Sequence, residues 1–329
     1  MKFWFRFAGF VIAGVVASLA NYATAAEPLE IRVGVLKFGT VNWELDTLRH
    51  HGLDRANGFR LHITPFASPR ATQVALLGNA VDIIVGDWVW VSRQRSEGAK
   101  FTFIPYSSAV GALMVPKQSS IRALADIGGA KIGIAGGPLD KSWLLAQAYL
   151  KHHGHAEAAK NAVLTFGAPP LLNQLLLRGD LDGVITYWHF AARLQAAGLR
   201  RVVGIGDLAT ALGVRGPVPL LGYMFREDWA EQHRNQVLGF AAAIRKTKQL
   251  LAGSPADWQR LRPLMRAKTE ATANLLKSGY LAGTPARWGH SERAEAGKLY
   301  SILAQVGGPA FSGGRTNLAP GTFWAAASY

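Results

Sequence analysis

The chain has 329 residues, of which 49% are hydrophobic and 17% are charged, and its formal net charge is +15. This composition excludes a disordered chain, and the length suggests about two domains. Cysteine is absent, which excludes disulfides, thiolate metal sites, a cysteine nucleophile and a lipid-modified N-terminal cysteine. The basic residues are scattered and no nucleic-acid motif accompanies them, so we expect no nucleic-acid partner. We attribute the positive charge to solubility and to a surface field that favours anionic solutes.

The first residues have the pattern of a secretory signal peptide. Lys2 and Arg6 precede an almost wholly apolar run over 7–20, and Ala23-Thr24-Ala25 matches an A-x-A cleavage site. The run is shorter than the roughly 20 residues that cross a bilayer, which disfavours a membrane anchor. We therefore expect cleavage after Ala25 and a soluble protein in the periplasm without a lipid anchor.

The rest of the chain alternates strand and helix patterns. Short runs rich in Val, Ile and Phe predict strands at 31–36, 60–66, 82–86, 101–106, 111–115, 131–135, 162–166, 183–186, 201–205 and 220–225. A helix is predicted over 69–77, and the tail has helical patterns over 237–252 and 294–306, each stopped by glycine and proline. Strands separated by helices imply mostly parallel sheets that are covered on both faces.

An internal repeat indicates that the chain has two similar halves. The segment ALLGNAVDIIVGDW at 75–88 aligns with LLLRGDLDGVITYW at 175–188, so that Trp88 recurs as Trp188. We therefore predict an α/β protein of two Rossmann-like lobes with a cleft between them. Two crossings of the chain would form a two-strand hinge, and the helical tail would cover lobe I.

This organisation divides the chain into three parts. Residues 1–25 are the signal peptide, residues 26–115 together with 220–329 form lobe I with the C-terminal helices, and residues 116–219 form lobe II. Ligands of open parallel sheets bind outside the carboxyl ends of the strands. Asp82 and Asp182 precede their strands and are interpreted as turn residues at the opposite end.

Candidate ligand-binding residues therefore follow the strands. They are Lys37, Thr40, Asn42, Trp43, Ser68, Asp87, Trp88, Ser107, Tyr187 and Trp188, together with Gly136, Gly137, Asp140, Lys141, Ser142 and Trp143 at a helix start in lobe II. Free backbone N–H groups at a helix start attract anions, and Lys141 and Ser142 add a charge and a hydroxyl. The alternative is an ordinary helix that Asp140 caps itself. The aromatic residues either sandwich a flat or apolar ligand or pack one lobe on the other.

Histidines in two places are candidate functional residues. His152-His153-Gly154-His155 invites a metal interpretation, but the segment ends a helix beside a glycine and no carboxylate cluster supports it, so a surface helix end is favoured. His189 either reaches the cleft or packs. We expect no metal, no cofactor and no catalytic residue.

At this point the chain resembles a known family. The opening Ile31-Arg32-Val33-Gly34-Val35, the unit Leu76…Asp82-Ile83-Ile84 and the two-lobed order are similar to the ABC-transporter periplasmic solute-binding proteins of the nitrate/taurine/alkanesulfonate class, which have the type II periplasmic binding protein fold. Three segments resemble a distinct subgroup: Pro138-Leu139-Asp140-Lys141-Ser142-Trp143, Gly167-Ala168-Pro169-Pro170-Leu171-Leu172 and Tyr187-Trp188-His189-Phe190-Ala191-Ala192.

The resemblance implies capture of a small anionic or aromatic organic solute in the cleft and delivery to an ABC permease and ATPase complex in the inner membrane. It places ligand contacts on Thr40, Trp43, Ser68, Asp87, Tyr187 and residues 136–142, and we expect a monomer. The helix start Asp140-Lys141-Ser142 departs from the small-residue start of sulfonate binders, which disfavours a sulfonate. The alternatives are a ligand-gated sensor or accessory protein, and a cleft enzyme of the pyrimidine-synthase-like type that uses Asp87, Lys141 or His189 as acid or base.

Overall fold

A computed structural model describes Met1 and residues 28–329. The predicted signal peptide, apart from its first residue, lies outside the described residues. The strands of the described part are β1 (Leu29–Leu36), β2 (Phe59–Phe66), β3 (Ile83–Asp87), β4 (Phe101–Ser107), β5 (Gly111–Val115), β6 (Lys131–Ala135), β7 (Val163–Gly167), β8 (Gly183–Tyr187), β9 (Arg200–Gly204) and β10 (Leu221–Arg226). These bounds agree with the strands predicted from sequence to within two residues.

The helices connect these strands and form the tail. They are α1 (Val41–His50), α2 (Leu53–Ala56), α3 (Pro69–Leu77), α4 (Trp88–Ser96), α5 (Lys141–His152), α6 (Ala156–Asn161), α7 (Pro169–Arg178), α8 (Trp188–Ala196), α9 (Ile205–Ala211), α10 (Glu227–Gln232), α11 (Arg234–Gly253), α12 (Pro255–Met265), α13 (Glu270–Ala282) and α14 (His290–Ser312). In this described part, no helix is both long and apolar enough to cross a membrane.

The strands form two five-stranded sheets with the same order. The first sheet runs β2-β1-β3-β10-β4 and the second β7-β6-β8-β5-β9. In the first sheet β1 is parallel to β2 and β3, and in the second β6 is parallel to β7 and β8. The α/β fold with two Rossmann-like lobes is therefore confirmed, and we call each sheet with the helices between its strands a lobe.

Each sheet is mixed because it contains one strand that arrives from the other half of the chain. β10 is antiparallel to β3 and β4, and β5 is antiparallel to β8 and β9. The predicted boundary after Val115 placed residues 111–115 in lobe I, whereas the structure places them in the second sheet. The first crossing is therefore the short segment 108–110 between β4 and β5.

Asp82 and Asp182 have the same role in the two lobes. The Asp82 carboxylate accepts the backbone N–H of Arg32 at 2.8 Å, and the Asp182 carboxylate accepts that of Lys131 at 2.7 Å. In return each aspartate donates its own N–H to the carbonyl of the same partner. The interpretation of both as turn residues is confirmed, and the match shows that the sequence repeat is also a structural repeat.

The C-terminal helices bridge both lobes rather than covering lobe I alone. α13 packs on α8 and α14 packs on α5, and both of these partners belong to lobe II. In α13, a Cβ at Gly279 would lie 2.7 Å from the Trp188 ring. Glycine therefore lets α13 approach the start of α8 closely. The tail tryptophans Trp258, Trp288 and Trp324 are buried.

Candidate functional site

A cavity of about 290 Å³ lies where the carboxyl ends of β1, β3 and β8 face one another across the two lobes. This is the position that the sheet topology predicts for a ligand. Its wall is formed by the loop after β1, the end of β3, the starts of α3, α5 and α8, and the crossing segments before β5 and β10. The lining residues include Phe38, Thr40, Pro69, Gln73, Ile84, Asp87, Tyr106, Ala109, Val110, Asp140, Lys141, Ser142, Tyr187, Trp188, His189, Leu220 and Met224. Such an enclosed, mostly apolar pocket with a few convergent polar groups is typical of small-molecule sites.

An ion pair at the cavity wall joins the two lobes. Lys141, the first residue of α5, donates to a carboxylate oxygen of Asp87 at 2.8 Å, and both side chains are about one-fifth exposed. Burial disfavours both charges, but their mutual attraction outweighs it. As a result the pKa of Asp87 is lowered and the pKa of Lys141 is raised. Both groups are therefore charged at neutral pH.

Two helix starts at the cavity are capped by the protein's own carboxylates. Asp87 accepts the N–H of Trp90 at 3.0 Å at the start of α4, and Asp140 accepts the N–H of Ser142 at 2.8 Å at the start of α5. Burial raises the pKa of Asp140, against the opposing charge of Lys141. The helix start in lobe II thus follows the capped-helix alternative, in which Asp140 occupies the place of an anionic ligand.

The start of α8 contributes three ring side chains. Tyr187 and Trp188 are partly buried and line the cavity, and burial raises the pKa of Tyr187 to about 12. His189 is only 8% exposed, and no described residue hydrogen-bonds to either of its ring nitrogens. Burial and the nearby Arg193 charge lower the pKa of His189 to about 3, so its imidazole is neutral. Of the two sequence interpretations of His189, the structure supports the one that places it at the cleft.

A buried polar network supports the cavity wall from below. Thr40 and Tyr106, which line the cavity, share a hydrogen bond of 3.1 Å between their hydroxyls. Behind them the fully buried Glu44 accepts from Lys248 and Tyr280, and from Tyr223 at 2.6 Å. The Lys248 ammonium also lies 4.4 Å from the centre of the Tyr106 ring. This network ties the tail to the wall, and sequence reasoning missed it because charged residues on helices are usually exposed.

Two tryptophans predicted as ligand contacts belong to the core instead. Trp88 is fully buried, and its indole N–H donates to the carbonyl of Pro219 at 2.8 Å. Trp143 is 4% exposed and packs in the same cluster as Leu303 of the tail. Both side chains turn away from the cleft because α14 offers each of them an apolar face.

Trp43 packs behind the cavity wall rather than on it. It is 3% exposed, and its ring lies 6.2 Å from those of Trp258 and Tyr280. Its ring also lies 6.1 Å from Trp188, in an edge-to-face arrangement. Trp43 therefore supports the wall through Trp188. It does not line the cavity itself, so the structure does not support its predicted contact with a ligand.

The other predicted residues outside the lining have local roles. Asn42 donates to the carbonyls of Leu36 and Gly39 at 2.8 and 2.7 Å and holds the loop after β1. Ser68 caps α3 by accepting the N–H of Ala71, and Ser107 is buried and accepts that of Ala109. Lys37 is exposed. None of these four residues, nor Gly136 or Gly137, lines the cavity.

Gly136 instead makes the helix start possible. Its φ is +99°, a backbone conformation that favours glycine, and a Cβ there would lie 3.1 Å from an Asp140 carboxylate oxygen.

The structure brings seven of the sequence-predicted residues together at the cavity, namely Thr40, Asp87, Asp140, Lys141, Ser142, Tyr187 and Trp188.

Sequence reasoning missed the apolar part of the lining. Phe38 lies beside the predicted Lys37, whereas Ala109, Val110 and Leu220 come from the crossing segments and Met224 comes from the exchanged strand β10. The topology predicts that Ala109, Val110 and Leu220 lie at the cavity, because a crossing between two lobes must pass the cleft. The inward position of Met224 requires the observed register of β10 with β3, in which Met224 pairs with Ile84.

Histidines elsewhere lie at helix ends. His152, His153 and His155 are exposed at the end of α5, as the surface interpretation predicts. A different cluster, His50, His51 and Asp257, has ligand atoms within 4.8 Å of one another. There His51 is hydrogen-bonded to Asp257 at 3.0 Å, and Arg260 lies 3.5 Å from the same carboxylate. This arrangement links α1 to α12.

Comparisons with known proteins agree with this architecture. A family model described as NMT1/THI5 like matches residues 49–257. A sequence comparison with curated proteins finds no match.

Solved structures with the same fold cover nearly the whole chain. The aliphatic sulphonate binding protein SsuA from Escherichia coli aligns with a TM-score of 0.72 and 14% identity over 92% of this chain and 94% of its own. The alkanesulfonate-binding protein SsuA from Xanthomonas axonopodis pv. citri, bound to MOPS, gives 0.69 and 15% over 91% and 99%. DszB in complex with biphenyl-2-sulfinic acid gives 0.61 and 15% over 91% and 96%. These likenesses confirm the type II periplasmic binding protein fold.

Proposed function

We infer the function of this chain from its family and its cavity: it belongs to the NMT1/THI5-like family, and we propose that it is the solute-binding component of an ABC-type import system. The observation that carries the proposal is the cavity between the lobes, at whose wall the Asp87–Lys141 ion pair joins one lobe to the other. A solute enclosed there contacts both lobes at once. Capture, rather than a chemical step, is what this arrangement performs best.

The mechanism follows from the contacts that the lobes share. Lys141, Tyr187 and Trp188 come from lobe II, and Asp87 and Phe38 come from lobe I. A solute that binds both sets has a higher affinity for the closed form than for the open form, and only such a difference shifts the equilibrium toward closure. The closed form would then be presented to a permease and ATPase complex in the inner membrane. The periplasmic location rests on the signal peptide predicted at 1–25.

The first test identifies the bound molecule. The protein purified without denaturation is examined by native mass spectrometry, and the solute released on unfolding is identified. We expect one bound small molecule per chain, which is recovered chemically unchanged after prolonged incubation with the protein. Recovery of a product instead would support the cleft-enzyme alternative and contradict the proposal. Neighbouring genes for a receptor kinase, rather than for a permease and ATPase, would support the sensor alternative.

Replacing Trp188 by alanine is expected to weaken binding of the co-purified solute at least tenfold, or about 1.4 kcal/mol. The ring forms part of the cavity wall and contacts Trp43 of the opposite lobe, so the variant loses both solute contact and closure contact. Titration calorimetry measures the affinity. Trp229→Ala is the matched control, because Trp229 is partly buried on α10 and does not line the cavity. An unchanged affinity for Trp188→Ala would place the solute elsewhere.

A further inference from the structure

The charged groups of the cavity are unbalanced. Asp87 and Asp140 are two carboxylates on its wall, and Lys141 is the one ammonium among its described lining residues. His189 adds no charge, because its imidazole is neutral. With both carboxylates ionised, the lining has one net negative charge, although the chain as a whole is strongly basic. Surface charges are screened over about 8 Å at physiological salt. The charges of the lining residues therefore determine which charge is favourable on a ligand in the cavity.

Two helix starts and the ammonium that would hold an anion are already engaged, although the starts of α1 and α8 carry no side-chain cap. The N-terminal ends of α4 and α5 point at the cavity and would attract a negative group, but Asp87 and Asp140 cap them. The Lys141 ammonium is engaged by Asp87 at 2.8 Å. A sulfonate or carboxylate placed here would meet two like charges for one opposite charge, and like charges in a site of low polarity are costly.

One further polar side chain of the wall is uncharged and has no hydrogen-bond partner among the described residues. His189 is more than nine-tenths buried, lines the cavity, and has no hydrogen-bond partner among the described residues for either ring nitrogen. Both ring nitrogens are themselves buried, so His189 adds a neutral ring to the wall rather than a second positive charge. The lining also includes the apolar side chains of Phe38, Val110 and Met224.

We propose that the solute is an organic cation: a protonated amine or amidine-type group that donates hydrogen bonds to Asp87 and Asp140, attached to an apolar or aromatic body that lies against Trp188 and Met224. This proposal rests on the proposed function and specifies the substrate class of the same site. It differs from the anionic solute that the overall charge of the chain suggested.

Three probes of similar size and different charge test it: benzamidine as the cation, benzenesulfonate as the anion and benzamide as the neutral amide. Titration calorimetry at pH 7 and physiological salt is expected to show benzamidine binding at least tenfold more tightly than benzenesulfonate. Asp140→Asn is expected to reduce that preference at least tenfold. Asparagine caps a helix about as well as aspartate, so this variant removes the charge and keeps the fold, which circular dichroism verifies.

Asp180→Asn is the matched control, because it removes the same charge from an exposed position of lobe II away from the cavity. It should leave the preference unchanged. Tighter binding of benzenesulfonate, equal binding of all three probes, binding of none of them, or an unchanged preference in Asp140→Asn would each overturn the proposal. An anion found as the co-purified solute would overturn the cation proposal and leave the solute-binding function standing, whereas conversion of that solute would overturn the function itself.

Discussion

Replacing Lys248 by methionine is expected to lower the free energy of unfolding by about 3–5 kcal/mol. Lys248 and Glu44 form an ion pair in which Glu44 is fully buried and Lys248 is 7% exposed. Methionine fills a similar volume but leaves the Glu44 carboxylate with only the hydroxyls of Tyr223 and Tyr280 as donors. An uncompensated charge at such depth is costly, and the variant has no means of hydrating it.

Urea unfolding followed by circular dichroism measures the loss. Lys246→Met, an exposed position on the same helix, is the control and should change stability by less than about 0.5 kcal/mol. Adding Glu44→Gln to Lys248→Met should restore a large part of the loss, because both charges are then gone. If Lys248→Met alone were as stable as the parent chain, the buried pair would not stabilise the fold in the way its burial suggests.

Replacing Trp88 by alanine should also cost about 3–5 kcal/mol of stability, the range for large aromatic residues in cores. The Trp88 ring is fully buried, with Tyr300 and Phe323 at 6.3 and 6.2 Å. Its loss leaves a cavity between α4 and the tail and leaves the carbonyl of Pro219 without its indole donor. The affinity for the co-purified solute should nevertheless stay within about threefold, because Trp88 does not line the pocket.

Trp88→Ala and Trp188→Ala therefore form a contrasting pair. The first should shift the urea midpoint with little effect on binding when titrated at a temperature where the fold persists. The second should weaken binding with a smaller effect on stability, since Trp188 is only partly buried. A tenfold loss of affinity in Trp88→Ala with an intact fold would restore that residue to the ligand site and would contradict its placement in the core.

The same two tryptophans show what sequence reasoning predicted and what it missed. Their recurrence after equivalent strands predicted two similar lobes, and the matched sheet orders confirm it. The repeat does not determine what each ring touches, however. Trp88 meets the tail helix α14, and Trp188 meets α13 and the cavity. The partners come from a tail outside the repeat, so the local pattern was the same while the environments differ.

Local signals were strongest where a single segment determines its own structure. α3 was predicted at 69–77 and is found at Pro69–Leu77, because proline and a serine cap mark its start. β10 was assigned to the correct lobe, but β5 was assigned to lobe I and belongs to the second sheet. A strand pattern alone does not determine which sheet receives the strand. The burial of Glu44 was not predicted from the sequence for a related reason. Its burial depends on Lys248, which lies far along the chain.

The exchanged strands have a consequence for the order in which the protein is completed. β10 lies between β3 and β4 in space, but it follows every strand of the second sheet in the chain. A polypeptide that emerges with its N-terminus first therefore exposes all of β5–β9 before Leu221 appears, while β4 still lacks its neighbour. The half of the molecule that begins the chain is thus the half whose sheet is finished last.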